Sequence, residues 1–331
     1  MPLITLSSGL AFSATGNTSL LDQAGHAGIA LPYSCKTGRC STCKCRVLTG
    51  KTNLLHPEIG LSEQEIADGW ILSCARSAND DLMLEVDDLG GVALPPVKTL
   101  PCRISHIQRI APDVIQVTLR LPPTTEFSFI PGQYIDVIGA NGMRRSYSLA
   151  NASLASKQLE LHIRAVEGGA MSHYWFNEAK VNDLLRLNGP LGTFFLRNTS
   201  GIDLIFLATG TGIAPVKAIL ESMTDLAADQ RPRSTTVLWG ARDAADLYFD
   251  IASLPGDHKY IPVLSRAGSD WAGARGHVQH AVLANFFDLG NATVYACGSD
   301  AMIHGARDLL VQKGLPPARF YSDAFVCSSP Q

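Results

Sequence analysis

The alternation of hydrophobic and polar positions divides the chain into three regions with different periodicities. In residues 2–86, short apolar runs bounded by turn residues predict strands at Leu3–Leu6, Leu10–Ser13, Val47–Leu48, Trp70–Ser73 and Leu82–Val86. A helix is expected near Ser19–Ala27, and a second begins at Ser62-Glu-Gln-Glu65, whose serine and last glutamate form a capping-box pattern. This region is predicted to be a small α+β unit.

The middle region, from Cys102 to about Arg197, has period-2 runs rich in β-branched residues. These runs predict strands at Val114–Leu121, Tyr134–Ile138, Ser146–Leu149 and Leu159–Val166. A helical pattern interrupts them at Ala170–Glu178, directly after Gly168-Gly169. We therefore expect an antiparallel β-barrel.

The last region alternates apolar strands with helical stretches, which is typical of a parallel sheet covered by helices. The predicted strands are Leu204–Ala208, Thr235–Trp239, Tyr260–Leu264, Thr293–Ala296 and Arg319–Ser322. The predicted helices are Ala214–Ala228, His277–Phe286 and Ala301–Gln312. These patterns predict three domains, at residues 1–90, 102–200 and 201–331. Residues 91–101 are predicted to be a linker, because Gly-Gly and Pro-Pro pairs occur in or next to this segment.

Composition indicates an ordinary globular protein and excludes some classes of partner. The chain has 331 residues, 46% of them apolar, and a net charge of −3, so a nucleic-acid partner is not expected. Residues 1–95 carry six Lys and Arg against ten Asp and Glu, a net charge of −4 that either steers a basic partner or is a solvated surface. No signal peptide or membrane span is predicted, so we expect a cytoplasmic location without membrane association.

Cysteine spacing provides the strongest chemical signal. Cys35, Cys40 and Cys43 follow the C-x4-C-x2-C pattern of plant-type [2Fe–2S] ferredoxins, and Cys74 supplies a distant fourth thiolate. Gly38 and the small neighbouring residues allow backbone N–H groups to turn toward the sulfurs. A structural zinc site also takes four cysteines, but usually as two short pairs. The other cysteines, Cys45, Cys102, Cys297 and Cys327, are scattered, which favours a reducing compartment.

A flavin site is indicated by resemblance to the ferredoxin–NADP reductase superfamily. Arg144-Arg145-Ser146-Tyr147-Ser148-Leu149 ends a predicted barrel strand and fits that superfamily's Arg-x-Tyr-Ser pattern. The resemblance implies that Arg145 binds the FAD pyrophosphate, Tyr147 lies against the isoalloxazine ring and the Ser148 hydroxyl reaches flavin N5. A strand with alternating surface residues would give the same short pattern.

Other segments extend this resemblance to a second part of the flavin site. Gly168-Gly169-Ala170-Met171-Ser172 is similar to the superfamily's second flavin motif, so Gly169, Met171 and Ser172 are expected to hold a phosphate. Leu161-His162-Ile163-Arg164 would run beside the flavin, with His162 and Ile163 in contact with it. Gly189-Pro-Leu-Gly-Thr-Phe-Phe195 resembles the motif that closes such barrels.

A pyridine-nucleotide site is expected where the third region begins. Thr209-Gly-Thr-Gly-Ile-Ala-Pro215 follows a predicted strand, and glycines at such a turn let a pyrophosphate approach a helix N-terminus. A plain glycine-rich turn is the alternative. The string resembles the Gly-Thr-Gly-Ile-Ala-Pro form of the superfamily, with Thr209 as a departure, and it implies the cofactor contacts Gly210, Thr211, Gly212 and Pro215.

Two later segments complete the expected catalytic set. By the same resemblance, Cys297 and Gly298 at the end of a strand would lie near the nicotinamide, although a buried structural cysteine is the alternative. An aromatic residue near the C-terminus, Phe325, would cover the flavin face that the nicotinamide must reach. Ser148, Cys297 and Phe325 are therefore the predicted catalytic residues.

The choice of nucleotide depends on residues that follow two of the predicted strands. Arg242, Ser265 and Arg266 lie at the expected cofactor edge, where an arginine can pair with a 2′-phosphate. Either arginine can equally be a surface residue. On family grounds we expect NADH, with NADPH as the alternative.

The order ferredoxin, flavin and nucleotide module is shared with single-chain NAD(P)H-dependent reductases. Longer strings, such as Pro131-Gly-Gln-Tyr-Ile-Asp136 and Tyr321-Ser-Asp-Ala-Phe-Val326, look most like the CDP-6-deoxy-L-threo-D-glycero-4-hexulose-3-dehydrase reductase family. This resemblance implies a multidomain α+β and α/β protein: a β-grasp-like [2Fe–2S] domain, a FAD-binding β-barrel and a parallel α/β nucleotide domain.

The same resemblance implies electron transfer to a partner protein. NAD(P)H would reduce FAD, the cluster would take single electrons, and the partner would be a pyridoxamine-phosphate-dependent sugar dehydrase of 3,6-dideoxyhexose synthesis. The first alternative is the reductase component of an aromatic-ring oxygenase, and the second is a redox sensor without turnover.

Overall fold

The N-terminal unit, Met1–Leu94, is built from short strands and helices around one apolar core. The computed structural model describes residues 1–139, 142–154, 156–286 and 288–325 of the chain. The strands of this unit are β1 (Leu3–Leu6), β2 (Ala11–Ser13), β3 (Lys44–Thr49), β4 (Thr52–Leu54), β5 (Trp70–Leu72), β6 (Arg76–Ala78) and β7 (Leu82–Glu85). The helices are α1 (Leu20–His26) and α2 (Glu63–Ala67).

A mixed sheet in the order β2-β1-β7-β3-β5 forms the body of this unit, and β4 pairs separately with β6. Strand β1 runs parallel to β7, as expected for a β-grasp-like domain. The Ser62 side chain caps α2, while the Glu65 side chain accepts the Ser62 N–H, so the predicted capping box is confirmed. Strands β4 (Thr-Asn-Leu) and β6 (Arg-Ser-Ala) were not predicted, because two of the three residues in each are polar.

A six-stranded antiparallel sheet begins the second unit, Pro95–Phe325. Its strands are β8 (Lys98–Ala111), β9 (Val114–Arg120), β10 (Tyr134–Ile138), β11 (Arg144–Ser148), β12 (Gln158–Arg164) and β13 (Leu184–Leu191). The order is β11-β10-β13-β8-β9-β12, and a bridge between Leu149 and Leu161 joins the two ends into the expected barrel. A short helix, α3 (Ala170–His173), continues as a π-helical turn at Tyr174–Glu178.

A six-stranded parallel sheet in the order β17-β16-β15-β14-β18-β19 completes this unit. Its strands are β14 (Asp203–Thr209), β15 (Ser234–Ala241), β16 (Lys259–Leu264), β17 (Ala274–Arg275), β18 (Ala292–Ser299) and β19 (Phe320–Phe325). The helices are α4 (Ile213–Ser222), α5 (Val278–Asn285) and α6 (Asp300–Gln312). Residues on the central strands β14 and β18 are almost all buried, as is usual in parallel sheets.

Two sequence predictions need correction. The helix expected over Ala214–Ala228 is α4, which ends at Ser222, where the serine hydroxyl donates to the Ile219 carbonyl and 3₁₀ turns follow. Strand β8 begins at Lys98, inside the segment predicted to be a linker. The domain boundaries themselves stay a prediction, and Cys327 lies outside the described residues. Within the described ranges, every helix is too short or too polar to span a bilayer.

Candidate redox site

The cluster loop, residues 33–43, turns its backbone toward the sulfur atoms of the predicted ligands. Lys36, Gly38 and Ser41 adopt positive φ angles of 55°, 73° and 57°. The Thr37 N–H donates to Cys35 Sγ at 3.4 Å, and the Cys35 N–H donates to Cys40 Sγ at 3.4 Å. A Cβ atom on Gly38 would overlap the Pro57 carbonyl oxygen, so this position requires glycine.

The four predicted ligands lie as two thiol pairs. The Cys35 and Cys40 side chains hydrogen-bond to each other, and so do Cys43 and Cys74. In the first pair, the hydrogen bond from Cys40 lowers the pKa of the Cys35 thiol to about 4. In the second pair, the hydrogen bond from Cys43 lowers the pKa of Cys74.

Two pairs are the arrangement that a [2Fe–2S] cluster requires, because each of its irons takes two protein thiolates. A structural zinc ion would instead draw four ligands around one point. Cys45, next but one to Cys43, is fully buried in the apolar core, and burial raises the pKa of its thiol to about 12.

Strand β11 presents the first flavin motif with three different environments. Arg145 is exposed, and its guanidinium donates to the Arg144 carbonyl at 2.7 Å, with no carboxylate partner among the described residues. The Tyr147 hydroxyl accepts a hydrogen bond from Trp175 Nε1 at 2.9 Å, and the two rings pack edge to face. Burial raises the pKa of Tyr147 to about 12.

Ser148 ends β11 beside the opening of the barrel. Its side chain is buried, and within the described residues its hydroxyl has no hydrogen-bond partner. Beyond the bridge between Leu149 and Leu161, no ladder pairs β11 with β12 in the described chain. An unpaired arginine, an oriented aromatic ring and a free hydroxyl at this opening fit the phosphate, ring system and N5 atom of FAD.

The alternation along β12 decides which of its residues can contact a flavin. Leu161 and Ile163 point into the barrel core, so any contact from Ile163 must come from its backbone. His162 points to the other side but is buried, with Nε2 at 2.9 Å from Glu160 Oε1 and Nδ1 at 3.2 Å from the Tyr248 hydroxyl. Any flavin contact of His162 must therefore come from its backbone, because the nucleotide half of the unit covers its side chain, and the contact itself stays a prediction.

The second flavin motif surrounds the start of α3. Gly169 is the N-cap residue, and the amides of the first turn have no intrahelical acceptor. The Ser172 hydroxyl already accepts the Val166 N–H at 2.9 Å, and Met171 is buried in the barrel core. Phosphate binding here would depend mainly on backbone amides, with the Ser172 proton free to be donated.

The nucleotide turn, Thr209–Gly212, packs directly against the end of β18. A Cβ atom on Gly212 would overlap the Cys297 carbonyl oxygen, and one on Gly298 would overlap Thr209. Thr209 Oγ1 accepts the Ser299 N–H at 3.0 Å, which gives the threonine that departs from the motif a structural role. Thr211 is half-buried in this turn, and Pro215 is buried in the first turn of α4.

The other predicted catalytic residues lie on adjacent strands. Cys297 is fully buried in β18, with Sγ 3.9 Å from Asp323 Oδ2 on β19, and burial raises its pKa well above the usual value. Phe325 is the last residue of β19, in register with Ser299, and 37% of it is exposed. The exposed ring is thus placed at the carboxyl edge of the sheet, where α/β proteins bind ligands.

The residues expected to distinguish NADH from NADPH, Arg242, Ser265 and Arg266, lie next to one another at the ends of β15 and β16. The Ser265 N–H and hydroxyl both donate to the Ala241 carbonyl, and the Arg266 N–H donates to the Arg242 carbonyl at 3.0 Å. These bonds extend the pairing of β15 with β16 beyond the strand ends. Arg242 and Arg266 are exposed, and neither belongs to an ion pair within the described part of the chain.

Two cationic residues near these motifs, Arg164 and Lys217, were not among the predicted site residues. A Cβ atom on Gly210 would lie 3.0 Å from Arg164 Nη1, and Arg164 Nε is 3.2 Å from Asp113. Arg164 Nη2 lies 3.8 Å from Asp246 Oδ1, so the guanidinium is ion-paired with two carboxylates, although the geometry of its buried Nε and Nη2 atoms satisfies no hydrogen bond within the described residues. Lys217 is only 8% exposed in α4. Its signal in the sequence was a lone charge in the apolar run Ile213–Leu220.

Comparisons with known proteins agree with this architecture. Residues 4–78 match the family "2Fe-2S iron-sulfur cluster binding domain", residues 101–196 match "Oxidoreductase FAD-binding domain", and residues 206–308 match "Oxidoreductase NAD-binding domain". The chain is an NAD(P)H-dependent oxidoreductase with a [2Fe–2S] cluster and FAD as its further cofactors.

Full-length relatives define the family more narrowly. The chain is 41% identical over 326 residues to CDP-6-deoxy-L-threo-D-glycero-4-hexulose-3-dehydrase reductase of Yersinia pestis, covering 97% of each chain. It is 34% identical over 327 residues to the xylene/toluene monooxygenase electron transfer component XylA of Pseudomonas putida, covering 96% of this chain and 91% of XylA.

Among solved structures, the cytochrome P450 reductase GcoB of Amycolatopsis is similar over 98% of this chain and 99% of its own, with a TM-score of 0.76 and 29% identity. Relatives of this type transfer electrons to a partner protein. This chain likewise has an electron-accepting protein as its partner. The chain therefore belongs to the CDP-6-deoxy-L-threo-D-glycero-4-hexulose-3-dehydrase reductase family, which is of the ferredoxin–NADP reductase type with an N-terminal [2Fe–2S] domain.

Proposed function

We propose that this protein passes electrons from NADH to a pyridoxamine-phosphate-dependent CDP-4-keto-6-deoxyglucose-3-dehydrase, for removal of the C3 hydroxyl group in 3,6-dideoxyhexose synthesis. The observation that carries the choice of partner is the 41% identity, over 97% of both chains, to the reductase named for that dehydrase. The 34% identity to XylA favours an oxygenase component as the second candidate.

In the proposed cluster site, Cys35 and Cys40 hold one iron and Cys43 and Cys74 hold the other. The observed thiol pairs support this assignment. The Thr37 and Cys35 N–H groups stabilise the negative charge on the ligated sulfurs, because they already point at these atoms. Exposed Thr37 makes this part of the loop the proposed edge for electron transfer to the partner.

In the proposed flavin site, Arg145 pairs with the FAD pyrophosphate, and Tyr147, which Trp175 holds in place, lies against the ring system. The free Ser148 hydroxyl donates a hydrogen bond to flavin N5. FAD held by these residues would supply a hydride acceptor that can give up single electrons, and a cluster held by the four thiolates would supply a one-electron carrier, which would match NADH to a one-electron acceptor.

In the proposed nucleotide site, the amides of the nucleotide turn and the Arg164 guanidinium bind the NADH pyrophosphate. Arg164 Nη1, the guanidinium atom nearest Gly210, supports this role, while Nε and Nη2 face Asp113 and Asp246. Cys297 is fully buried behind the nucleotide turn and remains a neutral thiol, because burial raises its pKa. Phe325 would cover the face of a flavin bound at this edge, and the nicotinamide would have to displace its ring.

Anaerobic titration of the purified protein with NADH, and separately with NADPH, tests this electron chain. We expect the visible spectrum to show flavin and cluster absorbance, and both to bleach on addition of NADH. Absorbance that neither nucleotide bleaches would contradict the reductase function and support a redox sensor.

Reconstitution then tests the partner. We expect NADH-dependent turnover of a CDP-4-keto-6-deoxyhexose when the reduced protein is mixed with the dehydrase, and none with an oxygenase component. A chain that bleaches normally but supports only the oxygenase would keep the reductase function and overturn the proposed partner.

A further inference from the structure

A buried ionic cluster connects the helix that follows the nucleotide turn to the segment that follows the flavin strand. Lys217 Nζ on α4 donates to the Ala150 carbonyl at 2.8 Å and to Glu221 Oε1 at 2.6 Å, and it lies 3.4 Å from Glu160 Oε1. Glu221 Oε2 accepts the Ala152 N–H at 3.1 Å. Helix α4 thus binds the chain at two points, two and four residues beyond Ser148.

A second branch returns from this cluster to the nucleotide turn. Glu160 bonds to His162, whose Nδ1 lies 3.2 Å from the Tyr248 hydroxyl. The Tyr248 ring packs edge to face on Trp239, with centroids 5.1 Å apart. Trp239 Nε1 then donates to the Gly210 carbonyl at 3.0 Å. These contacts form a continuous connection from the nucleotide turn to the flavin strand.

Stability alone does not explain why Lys217 is charged. Removing an ammonium group from water costs several kcal/mol, and well-packed apolar residues often replace buried ion pairs without loss of stability. Burial by itself would raise the pKa of Glu160, but the His162 hydrogen bond and the charge of Lys217 outweigh burial and lower it. Glu160 therefore carries its negative charge between two fixed partners, Lys217 and His162.

We propose that Lys217 is a positioning residue for hydride transfer. Lys217 donates a hydrogen bond to the Ala150 carbonyl, and Glu221 accepts one from the Ala152 N–H. Together these two bonds fix the Ser148 end of the flavin strand relative to the nucleotide turn. A displacement of about 1 Å between reacting groups can reduce a rate by about a hundredfold. The inference rests on the proposed flavin and nucleotide sites, and it adds a residue that contacts neither cofactor.

Stopped-flow reduction of the holoenzyme by NADH separates this role from a merely structural one. For Lys217→Met we expect the limiting rate of flavin bleaching to fall by about tenfold or more, while the Kd for NADH changes by less than about threefold. The primary isotope effect with [4-²H]NADH should rise, because hydride transfer becomes slower than the other steps. Lys217→Arg, which can still reach the carbonyl and the carboxylates, should recover part of the rate. Lys259→Met, which removes an exposed lysine bonded to Asn285, is the control and should behave as the wild type.

A second variant keeps the test decisive if Lys217→Met loses FAD or unfolds. Glu221→Gln retains an oxygen to accept the Ala152 N–H but removes the charge that orients Lys217, and it should slow flavin bleaching by a smaller factor. A limiting rate within twofold of the wild type in every variant that retains FAD would overturn the positioning role. Wild-type protein that neither nucleotide bleaches would instead contradict the proposed function.

Discussion

The cluster loop and the nucleotide turn are both tight, glycine-containing segments, but different parts of the molecule determine their shapes. In the cluster loop, three of the four ligands lie within nine residues, and the amides that face the sulfurs belong to the same loop. The nucleotide turn gets its shape from β18, because Gly212 lies against the Cys297 carbonyl and Thr209 accepts the Ser299 N–H. A local site can be recognised from spacing, whereas a site built by packing needs the fold.

Replacing one of the cluster cysteines should produce the largest effect. It tests whether the cluster site is formed by the ligands that the spacing predicts. Cys74→Ser leaves one iron with a single thiolate, so we expect loss of the cluster absorbance and of electron transfer to cytochrome c. The flavin-dependent reduction of ferricyanide by NADH should remain, since no flavin or nucleotide contact changes. Cys45→Ala is the matched control, because this buried thiol is two residues from Cys43 and faces the core. Loss of the cluster in Cys45→Ala with retention in Cys74→Ser would reverse the ligand assignment.

Adding one methyl group to the nucleotide turn tests whether packing against β18 determines the shape of this turn. In Gly212→Ala, the new Cβ overlaps the Cys297 carbonyl, so the turn must move away from β18. We expect flavin reduction by NADH to slow by about tenfold to a hundredfold, because small displacements are costly in oriented reactions. FAD and cluster absorbance should not change.

Gly305→Ala provides the control for this effect. Gly305 lies in α6, and its nearest neighbour to a new Cβ is Gln279 Nε2 at an ordinary 3.5 Å. Alanine favours a helix by about 1 kcal/mol over glycine, so this variant should be at least as stable as the wild type and equally active. Equal rates in Gly212→Ala and Gly305→Ala would contradict the close approach of the turn to β18.

Removing the Arg164 side-chain charge should have a more moderate effect. We expect Arg164→Met to raise the KM for NADH about tenfold, which corresponds to about 1.4 kcal/mol, while kcat changes little. The KM of Arg164→Lys should lie between those of the wild type and Arg164→Met, since lysine keeps the charge but lacks the several N–H donors of the guanidinium. A normal KM in steady-state measurements of Arg164→Met would remove this residue from the nucleotide site.

Much of the fold follows from hydrophobic periodicity, and the failures have identifiable causes. Central strands β14, β15 and β18 were predicted within one to three residues at each end because the interior positions of each strand are buried and mostly apolar. Strand β8 was missed because its burial alternates irregularly around two bulges, which weakens the period-2 pattern. Strand β13 contains Gly189 and Pro190, which normally indicate a turn.

In the candidate site too, some features could be predicted from the sequence and others could not. The ligand set Cys35, Cys40, Cys43 and Cys74 could be named from spacing, and the structure places these thiols in two pairs. The alternation of β12 was visible in the sequence, but which face of it the nucleotide half would cover was not. This is why the burial of the His162 side chain against Tyr248 could not be predicted. Partners that are 50 or more residues apart leave no periodic signal.

The paired arginines at the ends of β15 and β16 should have a small effect that depends on the nucleotide. Arg242→Ala with Arg266→Ala should raise the KM for NADPH by about fivefold and leave that for NADH nearly unchanged, because an exposed ion pair contributes up to about 1 kcal/mol. Added salt should reduce the difference between wild type and variant. Equal changes in both KM values would show that these arginines contact the part that NADH and NADPH share.

The smallest expected effect is an absence of reaction at three isolated thiols. Burial raises the pKa of Cys45 and Cys102 to about 12 and that of Cys297 well above its usual value, so all three stay protonated at pH 8, where a free cysteine is partly thiolate. Because a raised pKa delays ionisation to higher pH, brief iodoacetamide treatment of the folded holoenzyme at pH 8 should leave these residues unmodified in mass spectra. The denatured chain, in which each pKa returns to its ordinary range, should be alkylated at all of them. Rapid labelling of Cys297 in the folded protein would mean that the nucleotide turn opens from β18 in solution, and the packed site would then be less fixed than the local one.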